Sequence, residues 1–389
     1  MNKDLIIEKL EIFQEKLLYI LPEKFRPFFD TINKDTKNLM LVGSRGTGKT
    51  TFLLKNLKEK NALYISADNP IVSTIPLFDL VEAAFLKGYE SVFIDEVHFA
   101  NDWSIHLKGI YDVFPDKNIW VSDSSSIILQ KGVSDLSRRF PIIEIPLLSL
   151  REFIYLVTGK LYPIIDPFDY DPKIIKKIIS EINVLSLYRD YIDHGFRPIF
   201  LEDLHMYDNK LLKIVEKSIQ SDILFLLPQL RENYLRIINA IIGYLALAKI
   251  PRLIINSLCK EFSIGKEKLY QLLNALEAIK VIRIIRHEKD YKLNSVGSKI
   301  FLYDPGIYKI FNGDSGNLRE AYVAALFSEA GMKVYSSKKE EYGDFVIDGK
   351  LIEVGGKNKK IKKADFVLKD DIEIPVKNSI PLWLIGFLY

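Results

Sequence analysis

Residues 38–58 read NLMLVGSRGTGKTTFLLKNLK, and this stretch decides the fold. Its first six residues, ending at Gly43, form a short apolar run of the kind buried on both faces of a parallel sheet. From Lys49 the chain reads as a helix. Between them, Gly43 to Thr50 match GxxxxGK[ST]. Gly43, Gly46 and Gly48 let the backbone turn tightly and bring its N–H groups close to phosphate oxygens. The helix start aims unpaired N–H groups and a positive dipole end at the same anion. Lys49 adds a full positive charge for the outer phosphates, and the Thr50 hydroxyl can ligate Mg²⁺. The phosphate-contacting set is therefore Gly43, Ser44, Arg45, Gly46, Thr47, Gly48, Lys49, Thr50 and Thr51.

About forty residues on, SVFIDEVH (residues 91–98) ends an apolar run in two adjacent carboxylates, Asp95 and Glu96. Two acids at the end of a core strand are costly unless a cation compensates them. Mg²⁺ held by Asp95 together with Thr50 supplies that compensation. Glu96 then has the placement of a general base or positioning group for an attacking water.

Outward from these two segments the pattern continues. ALYISAD (62–68), NIWVSDSS (118–125) and FPIIEIPLLS (140–149) read as further strands. LFDLVEAAFLKG (77–88) reads as a helix, and residues 1–36 as helical with Pro22 and Pro27 closing the segment. Strands alternating with helices signal a parallel sheet covered on both faces. The polar cluster after the fourth strand offers Ser122, Ser124 or Ser125 to a γ-phosphate or a lytic water; a serine-rich turn is the plainer alternative. Arg138 and Arg139 precede the fifth strand. A guanidinium there could stabilise charge on a transferred phosphoryl group, in its own chain or in a neighbour's, or simply be solvated at a helix end.

Composition bounds the rest. A chain of 389 residues exceeds what one core fills, so two or three domains are expected. Hydrophobic content of 48% with 27% charged residues fits a folded protein, and a net charge of +3 neither demands nor excludes nucleic acid. The one cysteine, Cys259, has no partner for an internal disulfide, which points to a reducing cytoplasm. No charge-free run reaches the about 20 residues that cross a bilayer, so no membrane is expected. The five histidines are not in a metal-ligand spacing, and no second metal site is expected from them.

Taken together, GSRGTGKTT, VFIDEVH, SDSSSIIL, DLSRRFPIIEIPLLSLREF and HGFRPIF resemble, in this order, a widespread archaeal and bacterial AAA+-like ATPase family. That family is similar to the STAND-type ATPases and carries a C-terminal domain of unknown function. The resemblance implies ATP and Mg²⁺ as cofactors. It assigns Lys49 and Thr50 to Walker A, Asp95 and Glu96 to Walker B, Ser124 to sensor 1 and Arg139 to the arginine position. It places Pro198, in His194-Gly195-Phe196-Arg197-Pro198, at the nucleotide from a helical lid. Ser-Asp-Ser stands here where Thr-Gly-Ser is usual.

The implied architecture is α/β: a P-loop NTPase core over 1–150, a helical lid over 151–225, a winged helix over 226–312 and a restriction-endonuclease-like α/β domain over 313–389. In the winged helix, SIGKEKLYQLLNALEAIK would be the recognition helix. Ser263 would be its N-cap, and Leu269, Leu272, Leu273 and Leu276 its buried stripe. Lys266, Lys268 and Lys280 lie elsewhere on that helix. Arg283, Arg286, Lys289 and Lys292 of the wing would meet phosphates if DNA binds; domain packing alone is the alternative. The last domain resembles a PD-(D/E)xK nuclease. Glu320, Asp344 and Glu353 match its acidic positions. The motif lysine is missing, because Glu353 is followed by Val354 and Gly355, and Lys357 is the nearest substitute. A degenerate nuclease relative is expected. The functional readings are an ATP-driven switch, an ATP-controlled DNA-binding or nuclease effector, and a non-hydrolysing scaffold for a protein partner or a homo-oligomer.

Overall fold

The computed structural model describes residues 3–124, 133–227, 232–247, 255–288, 298–337, 341–361 and 363–389. Ser125, Lys289 and Lys292 lie outside the described residues. The chain divides into two compact units, Met1–Pro146 and Leu147–Tyr389.

In the first unit five strands, β1 (Asn38–Gly43), β2 (Ala62–Ser66), β3 (Ser91–Asp95), β4 (Asn118–Ser124) and β5 (Ile142–Glu144), form one sheet in the order β2-β3-β4-β1-β5. Every pairing is parallel. Side chains alternate across the sheet, so each strand supplies both cores. Leu39 and Leu41 of β1 pack with Phe52, Phe93 and Trp120 on one face. Met40 and Val42 pack with Leu80, Leu107 and Ile110 on the other. Helices α1 (Lys3–Tyr19), α2 (Lys49–Asn56), α3 (Leu77–Leu86), α4 (Trp103–Val113) and the short α5 (Val133–Leu136) complete this unit. The Trp120 ring stacks on Phe93 at 4.7 Å and on Phe52 at 5.5 Å, joining strand to helix.

Two expectations for this unit need correction. The N-terminal helix stops at Tyr19, and only a short 3-10 turn, Pro27–Thr31, follows. Pro22 cannot donate into a helix and disfavours helical geometry at the residue before it. The fifth strand is three residues long because Pro141 and Pro146 flank it and offer no N–H to a ladder.

The second unit opens with α6 (Leu150–Thr158), α7 (Pro172–Glu181), α8 (Val184–His194), α9 (Tyr207–Lys217), α10 (Ile223–Leu226) and α11 (Glu232–Leu247). Ser149 and Glu152 form a full capping box on α6. Next come α12 (Ile255–Glu261), α13 (Lys266–Ala278) and an antiparallel ribbon of β6 (Ile282–Ile285) and β7 (Lys299–Leu302). Leu269, Leu272, Leu273 and Leu276 are buried, as the periodicity of α13 requires. Ser263, however, does not cap α13, whose N-cap is Gly265. Ser263 has φ 49° and closes the preceding helix: its N–H donates to Lys260 O, and Ile264 N–H donates to Cys259 O. That pair of bonds is a Schellman ending of α12.

After α14 (Gly306–Ile310) and α15 (Ser315–Glu329), a second sheet runs β12-β11-β10-β9-β8. Its strands are β8 (Val334–Ser336), β9 (Phe345–Ile347), β10 (Lys350–Gly355), β11 (Phe366–Lys369) and β12 (Ser379–Pro381). β8, β9 and β10 form an antiparallel meander, and β11 and β12 add in parallel. Asp348 and Gly349, both at positive φ, make the two-residue turn into β10. One apolar core runs through this unit from Leu148 to Phe387. Among the described residues, no helix is long and apolar enough to cross a membrane.

Candidate functional site

The parallel register of the first sheet brings four strand ends to one edge. Gly43 stands opposite Ser124, and Ser66 opposite Asp95. The glycine-rich loop leaves this edge and enters α2 at Lys49. Gly43 approaches the chain closely: a Cβ there would lie 2.7 Å from Ile145 O. Gly48 has φ 99°, and a Cβ on it would meet the Phe29 ring at 3.2 Å. Arg26, which sequence reasoning passed over, is buried beneath the loop. It donates to Thr47 O at 2.8 Å and to Pro146 O at 2.9 Å, fixing the loop to the unit's last residue.

Lys49 is buried and donates to the carbonyls of Gly43 (2.9 Å) and Ser44 (3.1 Å). Burial lowers the pKa of its ammonium, opposed by Glu96, Asp95 and Asp123. Thr50 Oγ1 donates to Asp95 Oδ2 at 2.6 Å, so the two expected metal ligands are in contact. Tyr64 OH donates to the same oxygen at 2.7 Å, and Ser122 Oγ hydrogen-bonds Asp95 Oδ1. This all-oxygen set of a carboxylate ringed by hydroxyls fits a hard cation such as Mg²⁺, and Thr50 and Asp95 are the residues that could hold it.

Glu96 adopts φ 51°, which ends β3 and turns the side chain toward the loop. Its Oε1 accepts from Arg45 Nη1 at 3.1 Å. Its Oε2 is buried with no hydrogen-bond partner and lies 3.9 Å from His98 Nδ1. Burial raises the pKa of this carboxyl; Arg45 and Lys49 oppose the rise. Asp123 holds His98 by two contacts, accepting from its backbone N–H at 2.8 Å and lying 2.7 Å from Nδ1. Glu96, His98 and Asp123 thus bring ligand-type atoms within 4.8 Å of one another, a grouping the histidine spacing did not foretell. His98 and Asp123 do stand in the quoted motifs, but only the pairing of β3 with β4 unites them.

Ser122 and Ser124 sit at the end of β4, Ser124 beside Gly43. Arg139 is not brought to its own loop. Met40 N–H donates to Pro141 O, and β5 begins at Ile142 opposite Met40. Arg139 therefore stands at the N-terminal edge of the sheet, whereas the loop leaves the C-terminal edge. It is held there by Asp112 (3.4 Å), by Asp135 O (3.0 Å) and over the Tyr111 ring. Arg138 is exposed. Pro198 belongs to the second unit, at the start of a 3-10 turn after Gly195.

In the second unit one lysine pairs with Glu320 and Asp344, and another pairs with Glu353. Lys299 Nζ donates to Glu320 (2.6 Å) and Asp344 (3.0 Å). Lys359, not Lys357, meets Glu353, at 2.7 Å. β10 ends at Gly355 and the chain turns, leaving Lys357 exposed and folding Lys359 back onto Gly355. The wing arginines are also engaged internally. Arg283 is buried against Glu329 at 2.5 Å, and Arg286 makes a two-point contact with Glu277. Neither presents a free guanidinium for phosphates.

Residues 35–154 match the family model of an AAA domain. Comparison with curated proteins gives no match. Among solved structures, the chain is similar to a Walker-type ATPase of Pyrococcus abyssi, with TM-score 0.44 and 14% identity, covering 76% of this chain and 99% of that one. It is also similar to the RuvB Holliday junction branch migration motor of Thermotoga maritima, with TM-score 0.32 and 17% identity, covering 81% and 96%.

Proposed function

We propose that this chain, built on an AAA-like P-loop domain, binds and hydrolyses ATP as a molecular switch. One observation carries the reading: a single sheet edge gathers Lys49, Thr50, Asp95 and Glu96 at the phosphate loop, with Thr50 and Asp95 already in contact. The loop amides and Lys49 would hold the β and γ phosphates. Mg²⁺, when bound, would neutralise charge between them. Glu96 would accept the proton of a water attacking the γ-phosphorus as the bond to the ADP oxygen breaks, releasing ADP and phosphate. A raised carboxyl pKa suits that role, since a base works best near the operating pH. Ser122, bonded to Asp95, would keep the metal-holding carboxylate in place. Ser124 would serve as the sensor beside the γ-phosphate.

The second unit would be the moving part. Pro198 is read as the lid contact to the nucleotide, and Arg139 as a group acting in a neighbouring chain of an oligomer. The order α11, α12, α13, β6, β7 supports a winged helix. The helix and mixed sheet from α15 to β12 support a relative of the PD-(D/E)xK nucleases. Internal pairing of Arg283 and Arg286 favours domain packing over DNA contact for the wing. Two variants test the ATPase reading by nucleotide titration and phosphate release. Lys49→Ala is expected to lose binding and turnover together, and Glu96→Gln to keep binding and stop turnover. Undiminished hydrolysis in Glu96→Gln would remove Glu96 from the mechanism.

A further inference from the structure

Resting on the reading of the first sheet's edge as an ATPase site, we propose that Tyr64 is a positioning residue for the metal-holding carboxylate. Its phenol fixes Asp95 Oδ2 and so leaves the Thr50 hydroxyl available to a divalent cation. Tyr64 stands opposite Phe93 and Ser66 opposite Asp95, while Phe93 stands opposite Trp120. Residues two apart on a strand share a face. Tyr64, Asp95 and Ser122 therefore lie on one face, the face packed against α2 through Phe52. Asp95 meets hydroxyls from three elements there: Tyr64 from β2, Ser122 from β4 and Thr50 from α2. Tyr64 is 2% exposed and Asp95 3%. The diagonal from Tyr64 to Asp95 crosses two residues of strand, about 6–7 Å, which a phenol can span. Ser66, although directly opposite Asp95, donates to Asp68 at 2.5 Å.

Two donors share one oxygen. Thr50 Oγ1 at 2.6 Å and Tyr64 OH at 2.7 Å both donate to Asp95 Oδ2, and Ser122 Oγ serves Oδ1. A buried carboxylate oxygen is costly without a donor. With Thr50 as its only donor, Oδ2 would resist the release of that hydroxyl to a cation. Tyr64 removes the resistance: it keeps the oxygen satisfied and its direction fixed while Thr50 changes partner. A phenol, with an ordinary pKa of about 10, is protonated at neutral pH and supplies a donor without adding charge. Tyr64 is itself held from behind. Its N–H donates to Gln14 Oε1 at 2.8 Å, and its ring lies 6.5 Å from that of Phe13, so α1 sets both strand and ring. The sign of the effect separates two roles. A donor that merely drew charge from Asp95 would weaken the metal, and its loss would strengthen binding. A positioning donor has the opposite sign.

The test uses the full-length protein and a non-hydrolysable ATP analogue, titrated by calorimetry in chelator and again in excess Mg²⁺. Tyr64→Phe removes one oxygen and keeps the ring. In chelator its affinity for the analogue should match the parent's. The gain in affinity that Mg²⁺ brings should be roughly tenfold smaller than in the parent, the scale of losing an outer partner of a metal-holding group. Hydrolysis should fall most where Mg²⁺ is limiting, with the Mg²⁺ concentration at half-maximal rate rising roughly tenfold. The proposal is overturned if the Mg²⁺ gain in Tyr64→Phe equals or exceeds the parent's. It is overturned, too, if affinity falls equally with and without the metal, since that marks a structural role. A Tyr64→Phe chain that lacks the parent's near-ultraviolet circular dichroism overturns it in the same way. A parent that gains nothing from Mg²⁺ would sink both this role and the ATPase reading, whereas a parent that gains and a variant that gains alike would remove Tyr64 alone.

Discussion

At Glu96, one residue carries a strained backbone, an ion pair and a buried orphan oxygen at once. Such combinations persist where surrounding structure over-determines them, as at a reacting group. On the proposed reading of Glu96 as the base, which acts deprotonated, burial raises its pKa and the acid limb of kcat should lie above the ordinary carboxylate range. Arg45 opposes the rise, hence Arg45→Met should move that limb to higher pH; a limb that stays or moves down would uncouple the two residues. Gly48 offers a backbone test. An alanine there must keep φ 99° with its Cβ 3.2 Å from Phe29, at a cost of about 1–2 kcal/mol. Gly48→Ala should lower stability by that amount in urea titrations and weaken nucleotide binding.

Elements, rather than residues, create the pairing between β3 and β4. His98 lies in the short turn after β3, and Asp123 near the end of β4, so their contact reports that the two strand ends are in register. Asp123→Ala would leave the His98 backbone N–H without its buried acceptor, costing about 1–3 kcal/mol. Denaturant unfolding should show that loss, with turnover falling more than nucleotide affinity because Glu96 is the neighbour disturbed. In the second sheet, Gly355 plays an analogous local role. A Cβ on it would come within 2.7 Å of three side-chain carbons of Lys359, so Gly355→Ala should drive Lys359 from Glu353 and lower Tm.

Over the whole molecule, buried ion pairs join segments far apart in sequence within the second unit. Arg197 Nε donates to Asp304 at 2.6 Å, both nearly inaccessible. Asp304→Ala removes the buried carboxylate that Arg197 Nε donates to and should cost about 3–5 kcal/mol, read by chemical denaturation. Glu329 meets Arg283 and Tyr303 in the same unit. Burial alone would raise its pKa, but Arg283, Lys280 and the Tyr303 hydroxyl outweigh burial and lower it. A depressed folded pKa gives stability that is full above the unfolded value and is lost as pH falls through the folded one. Unfolding free energy should therefore decline on acidification, and Glu329→Gln should flatten that decline.

The strand and helix of residues 38–56, the strand of Asp95 and the stripe of α13 were legible in the chain, because local periodicity and loop chemistry depend on neighbours a few positions away. The placement of Lys49, Thr50, Asp95 and Glu96 shared that legibility, since each position is fixed by its own strand end or helix start. What only tertiary structure decided were meetings between distant segments. Tyr64 at Asp95, Asp123 at His98, Lys299 among the C-terminal acids and Lys359 in place of Lys357 belong here. So does the removal of Arg139 to the far edge of its sheet. Sequence spacing carries no information about such encounters: they follow from strand order and register, which are settled when whole faces pack.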